Sequence, residues 1–228
     1  MTTAMKAMIL AAGRGERMRP LTDTTPKPLL MAGDKRLIEY HLYHLAAAGF
    51  RDIVINVSWL GQQIIDTIGG GEKYDLNIVY SNEGDEALET GGGIFRALKL
   101  LGEQPFLVIN GDIWTDYPLE KLYSFDLRDK AHMVMVDNPP HHLQGDFSIH
   151  NGRLIEARDN PLTYSGIGIY SRAFFADSKD GRFPLLPLIK RGIEENTISA
   201  EAYSGKWMDI GTRERLDALS RKLHKENI

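Results

Sequence analysis

The segment LAAGRGERMRPLTDTTPKP (Leu10 to Pro28) gathers the groups that hold a small anion. Gly13 and Gly15 flank Arg14, and Arg17, Arg19 and Lys27 follow within the same segment. Backbone N–H groups at a glycine turn can approach phosphate oxygens closely. An arginine adds a planar donor fork and a lysine a compact charge, both suited to developing negative charge. The spacing excludes two common phosphate devices. A dinucleotide fingerprint needs a third glycine where Met18 stands, and a P-loop needs Gly-Lys-Ser/Thr, which does not follow. Pro20, Pro26 and Pro28 remove backbone donors and disfavour helix at the residues before them. The expectation is a loop that stays extended over about 20 residues, a length that is usually functional.

A carboxylate stands at the end of a second apolar run. Asp112 closes FLVING-D, a strand reading over 106–111. Ligands bind outside the carboxyl ends of parallel strands. A carboxylate there suits Mg²⁺, which takes one or two carboxylates together with substrate phosphates.

The elements that must position these groups alternate. Strand patterns over 5–11, 52–57, 77–81 and 106–111 are separated by helical faces at Ile38, Leu42, Leu45 and at Leu60, Ile64, Ile65, Ile68. Thr90 is placed to cap a third helix, GGGIFRALKLL. That order predicts an α/β fold, Rossmann-like and doubly wound around a mostly parallel sheet, which a strand over 131–136 extends. Beyond about residue 145 the pattern turns β-rich: DFSIH, an Asn151-Gly152 turn, RLIEA, then TYSGIGIYS. A last helix over 212–224 carries Leu216, Leu219 and Leu223 on one face. The expected organisation is one domain over 1–228, with a nucleotide-binding core to about residue 140 and a small sugar-binding lobe plus helix from about 141.

Composition is that of a globular protein, with 43% hydrophobic and 25% charged residues. Zero cysteines exclude disulfides, thiolate metal sites and a cysteine nucleophile. No run approaches the roughly 20 apolar residues of a membrane span, and the N-terminal apolar stretch is too short for a signal peptide. A cytoplasmic setting without membrane partners is expected. A net charge of −4 argues against a nucleic-acid partner.

The sequence resembles the sugar-1-phosphate nucleotidylyltransferases. The glycine loop followed by RMRPLT and PKP, the segment NEGDEALETGGGI, the strand ending NGD, and the late WMDIGT occur in the family's order. A short chain, LETGGG and NPPHHLQGDF place it nearest the branch acting on N-acetylmuramate 1-phosphate in peptidoglycan recycling. The resemblance implies UMP transfer from UTP to a sugar 1-phosphate, with Mg²⁺ as cofactor and the chain a monomer or small homo-oligomer. It makes Arg17, Lys27 and Asp112 catalytic, with Arg17 on the triphosphate and Lys27 near the α-phosphate. Asp112 and Asp209 become the metal ligands. UTP falls to Ala12, Gly13, Arg14, Gly15, Lys27, Glu83, Thr90 and Gly91. The sugar falls to Asn110, Gly145, Glu156, Asp159 and Ser165, and a lactyl carboxylate to His141, His142 or Arg158. A carboxylate at Glu83 can accept from uracil N3–H, but guanine's donors suit it equally. A mannose- or glucose-1-phosphate nucleotidylyltransferase using GTP or UTP therefore stays open, as does a non-catalytic nucleotide-sugar sensor.

Overall fold

The computed structural model describes residues 4–226. Its centre is a run of parallel strands whose residues are apolar on both sides. Strand β1 (Lys6–Leu10) leads to a small hairpin, β2 (Met31–Ala32) and β3 (Lys35–Arg36), and then to helix α1 (Leu37–Ala47). Next come β4 (Asp52–Val57), α2 (Gly61–Ile68), β5 (Asn77–Asn82), α3 (Glu89–Leu101) and β6 (Phe106–Asn110). The order β5-β4-β1-β6 is fully parallel. Successive side chains of a strand point to opposite faces. Ala7 and Ile9 thus join the core beneath α1 and α2, while Met8, Val54 and Val108 join the one beneath α3. This is the doubly wound arrangement expected.

The remaining strands continue the same sheet. After β7 (Ile113–Thr115) and the short α4 (Glu120–Tyr123) come β8 (Ala131–Val136), β9 (Phe147–His150), β10 (Arg153–Glu156) and β11 (Thr163–Tyr170). α5 (Leu186–Glu194), β12 (Ile198–Tyr203), β13 (Trp207–Asp209) and α6 (Arg213–Glu226) complete the chain. The full sheet has nine strands in the order β5-β4-β1-β6-β11-β8-β12-β10-β9, with β11 antiparallel between β6 and β8. The β9–β10 turn puts Asn151 and Gly152 both at positive φ (51° and 73°), the primed geometry that matches strand twist.

Two expectations need correction. The proline-rich segment is not extended: it folds into three short 3-10 turns, Glu16–Met18, Leu21–Asp23 and Lys27–Leu29. Proline forbids the interior of a long helix, but its fixed φ suits a single turn, and Pro28 sits inside one. Thr22 Oγ1 closes the segment by donating to Gly15 O at 2.8 Å. Gly15, at φ 67°, has no room for a side chain, since a Cβ there would lie 2.9 Å from Thr22 Cγ2.

Thr90 also does not cap α3. The helix begins at Glu89 and makes no side-chain cap bond. Its first turn is served by backbone: Gly92 N–H donates to Phe183 O at 3.0 Å, and Phe183 N–H donates to Leu88 O at 3.1 Å. Gly91 and Gly92 allow this close docking, and Gly93 makes room for Glu83. A Cβ on Gly91 would meet Phe183 at 2.5 Å, one on Gly92 would meet Gly181 O at 2.2 Å, and one on Gly93 would meet Glu83 Oε1 at 2.4 Å. The Gly92 obstacle is backbone and cannot swing aside. Gly92→Ala should therefore destabilise the protein by about 2 kcal/mol, the usual scale of overpacking. In a chain of this size that lowers Tm by roughly 4–8 °C. Gly13→Ala is the control: a Cβ there meets nothing within 4 Å, and its melting temperature should match the parent in the same thermal scan.

Candidate active site

Register sets out the floor of the site. Leu10 lies beside Asn56 on one side and Asn110 on the other, and Val57 beside Asn82. The carboxyl ends of the four parallel strands therefore open onto one cleft of about 550 Å³. Its wall includes Ala12, Gly13, Arg14, Gly15, Arg17 and Lys27 from the glycine segment. Glu83 and Thr90 stand on the α3 side, and Asn110, Gly111 and Asp112 follow β6.

A buried chain of hydrogen bonds ties these edges together. Ala11 N–H donates to Asn56 Oδ1 at 2.7 Å, and Asn56 Nδ2 donates to Glu83 Oε1 at 2.7 Å. Leu88 N–H donates to Glu83 Oε2, also at 2.7 Å. Each carboxylate oxygen accepts one of these bonds and keeps a further lone pair. Glu83 thus braces the start of α3 against the glycine segment while lining the cleft. Arg14 lies 4.3 Å from the Trp59 ring centroid, a cation–π contact that fixes its direction.

Lys27 is only 8% exposed, and its Nζ donates to Asp112 Oδ2 at 2.7 Å. Asp112 is brought across by Gly111, whose N–H donates to Leu10 O at 2.9 Å. A Cβ at Gly111 would lie 2.5 Å from that same oxygen. Under this turn His41 is buried, and burial, with His44 adding to it, pushes its imidazole down to about 4. At neutral pH it adds no charge beneath Asp112.

Asp209 meets Asp112 through strand pairing. β13 runs antiparallel to β7 with Asp209 opposite Ile113, and Ile210 N–H donates to Asp112 O at 2.7 Å. The backbones of two residues 97 positions apart (209 − 112) are thereby brought together. The Asp209 carboxylate accepts from Arg215 Nη1 at 2.8 Å, and His141 Nε2 lies 3.0 Å from it. Among the described residues no group of three potential metal ligands occurs. Asp112, a hard-oxygen donor on the cleft's wall, is compatible with Mg²⁺, which takes one or two carboxylates beside substrate phosphates and needs no all-protein cage.

The expected sugar residues are divided between the cleft's wall and places away from it. Asn110 lines the cleft beside a bulge in β11, where Gly166 leaves no room for a Cβ against it. Ser165, in that bulge, is buried and donates to Val134 O at 2.6 Å. Gly145 sits in a loop pinned by Asn138, whose Nδ2 donates to Pro161 O at 2.8 Å. Glu156 and Asp159 are exposed and, like Gly91, Gly145, Ser165 and Asp209, lie off the cleft's wall. Sequence reasoning missed Asn56, Arg182 and Arg215. Arg182 reaches the cleft from the segment docked on α3, where its Nε donates to Glu89 Oε1 at 3.0 Å.

A parallel sheet whose carboxyl ends meet a cationic glycine segment, with a carboxylate at Asp112, fits an α/β protein that binds a nucleotide and acts at its phosphates. Comparison with known proteins narrows this. The family model for nucleotidyl transferases matches residues 6–148, and the chain belongs to that family. It is 49% identical over 220 residues to the N-acetylmuramate alpha-1-phosphate uridylyltransferase of Neisseria meningitidis, covering 93% of this chain and 95% of that protein. The protein of the same name from Caulobacter vibrioides is 36% identical, with 90% and 91% covered. Mannose-1-phosphate guanyltransferase of Yarrowia lipolytica is 34% identical over 91% of this chain, which spans 61% of that longer protein. Among solved structures, HddC from Yersinia pseudotuberculosis superposes with a TM-score of 0.79 at 24% identity, over 96% of this chain and 99% of that one. That likeness is one of fold.

Proposed function

We propose that this chain transfers UMP from UTP to N-acetylmuramate α-1-phosphate, giving UDP-N-acetylmuramate and pyrophosphate, as a cytoplasmic step of cell-wall recycling. The observation that carries the reading is the 49% identity to a protein of that activity, over 95% of its length. The site agrees in chemistry. An oxygen of the sugar phosphate, already anionic, attacks the α-phosphorus in line, the bond to the β-phosphate oxygen breaks, and pyrophosphate leaves. No side-chain nucleophile is required.

Catalysis then rests on position and on neutralising charge. In this reading the glycine-segment N–H groups and Arg17 hold the triphosphate. Lys27, fixed by Asp112, faces the α-phosphate. Glu83 accepts from the base, and Thr90 and Gly91 line its edge. Asp112 and Asp209 would hold Mg²⁺, which supplies Lewis-acid polarisation of the phosphoryl oxygens. The acceptor is assigned to the face built after residue 141, with Asn110 at the junction and Gly145, Glu156, Asp159 and Ser165 beyond it.

One other substrate pair has an observation in its favour. Glu83 would suit guanine as well as uracil, and the mannose-1-phosphate guanyltransferases are also relatives. Pyrophosphate release should be measured for the four common nucleoside triphosphates against the 1-phosphates of N-acetylmuramate, N-acetylglucosamine, mannose and glucose. The expected result is the highest kcat/KM for UTP with N-acetylmuramate 1-phosphate. A preference for GTP with mannose 1-phosphate would transfer the assignment to that pair, and UTP binding without any turnover would make the chain a sensor.

A further inference from the structure

A second guanidinium comes up to the cleft's wall at Gly211 from the far end of the chain. Arg215, in the first turn of α6, is held by Asp209, with Nη1 at 2.9 Å from Oδ1 and 2.8 Å from Oδ2. His141 Nε2 lies 2.5 Å from the same Nη1. The Arg215 side chain is 18% exposed, and its buried Nε has no hydrogen-bond partner. Its Nη2 points at Gly211, 2.4 Å from where a Cβ would lie, and Arg17 Nη2 is 3.0 Å from that same point. Gly211 lines the cleft beside Arg17. Two guanidinium ends thus converge over a residue that has no side chain.

Only Arg215 is balanced by a carboxylate. Arg17 is exposed and has no acidic partner among the described residues. Like charges converging in this way call for an anion between them, and paired guanidinium forks match phosphate oxygens in shape and charge. We infer that Arg17 and Arg215 form a two-arginine clamp on the terminal phosphates of the nucleoside triphosphate, and on the pyrophosphate that leaves. Asp209 grips Arg215 through Nη1 alone, so Nη2 remains free to donate. Gly211 keeps the gap open, and His141 backs the grip from the acceptor side. The assignment rests on the nucleotidyl-transfer reading above.

The clamp is tested with inorganic pyrophosphate as the probe. Arg215→Gln should raise KM for pyrophosphate in the reverse reaction about tenfold or more, the scale of one lost hydrogen bond to a charged group. Titration calorimetry with pyrophosphate should show the same loss without turnover. KM for the sugar 1-phosphate should move less than twofold. Arg215→Lys, which keeps the charge but not the fork, should recover part of the affinity, and it decides the matter if Arg215→Gln does not fold. Pyrophosphate affinity within twofold of the parent in both folded variants would overturn the clamp, as would a loss confined to the sugar 1-phosphate. A parent protein that turns over no triphosphate defeats the underlying reading instead, while the pyrophosphate titration still tests the clamp.

Discussion

Lys27→Met should lower kcat by roughly 100-fold or more, the scale of losing one preorganised charge contact to the transition state. The side chain is nearly buried, and its ammonium is aimed by a 2.7 Å bond to Asp112. In the proposed reaction it would need no reorganisation as charge builds on the α-phosphate. Methionine preserves the packing of the stem while removing the charge, so the melting temperature should change little. The loss should fall mainly on kcat, because an interaction made chiefly in the transition state leaves KM nearly unchanged. Asp112→Asn should have an effect of similar size, since it releases Lys27 and removes a carboxylate from the cleft's wall. The double variant should then cost much less than the product of the two single effects, because the residues act as a unit. Steady-state kinetics on the three variants is the measurement, and near-parental turnover in Lys27→Met would remove Lys27 from the mechanism.

The central strands were legible because they are apolar on both faces. β4 and β8 begin and end at the residues expected, and the Asn151-Gly152 turn joins the hairpin its sequence announces. β12, with the sequence ISAEAY, was not legible, for its apolar residues are small and interrupted. α5 was hidden by Pro187 and Gly192, although proline in a first turn is harmless. Within the site, the glycine segment and Asp112 carry their chemistry in local sequence. Arg215 does not: on an amphipathic helix it reads as one more solvated charge. Only the return of α6 onto Met18 and Trp114 brings it beside Gly211. The three consecutive glycines of α3 suggested helix initiation, whereas the spatial reason for Gly91 and Gly92 is a docking segment nearly 90 residues away (181 − 92 = 89), and for Gly93 it is Glu83.

Glu39→Gln should destabilise the protein at neutral pH by roughly 3 kcal/mol, and the difference from the parent should shrink in acid. Glu39 opens α1 and is 4% exposed. Burial alone would raise its pKa, but donors surround it. Lys73 Nζ lies at 2.6 Å and Tyr74 Oη at 2.8 Å from Oε1, while Arg36 N–H donates to Oε2 at 2.9 Å. Together they outweigh burial and hold the carboxyl at about 2, below its ordinary 4.5. Between those values the unfolded chain binds a proton that the folded chain refuses. Stability from this group is therefore complete above pH 4.5 and falls away as pH drops toward 2. Glutamine keeps the acceptor for Tyr74 but loses the charge that Lys73 and the helix N-terminus favour. Urea midpoints for parent and variant at pH 7, 5, 4 and 3 would give the profile. A gap that stayed constant down to pH 3 would mean that Glu39 acts by shape alone. The same helix packs against the turn that carries Lys27, through Leu37 N–H donating to Leu30 O at 3.0 Å. Loosening its first turn should therefore lower activity at temperatures where the protein is still folded, linking a buried cap 12 positions along the chain (39 − 27) to the alignment of Lys27.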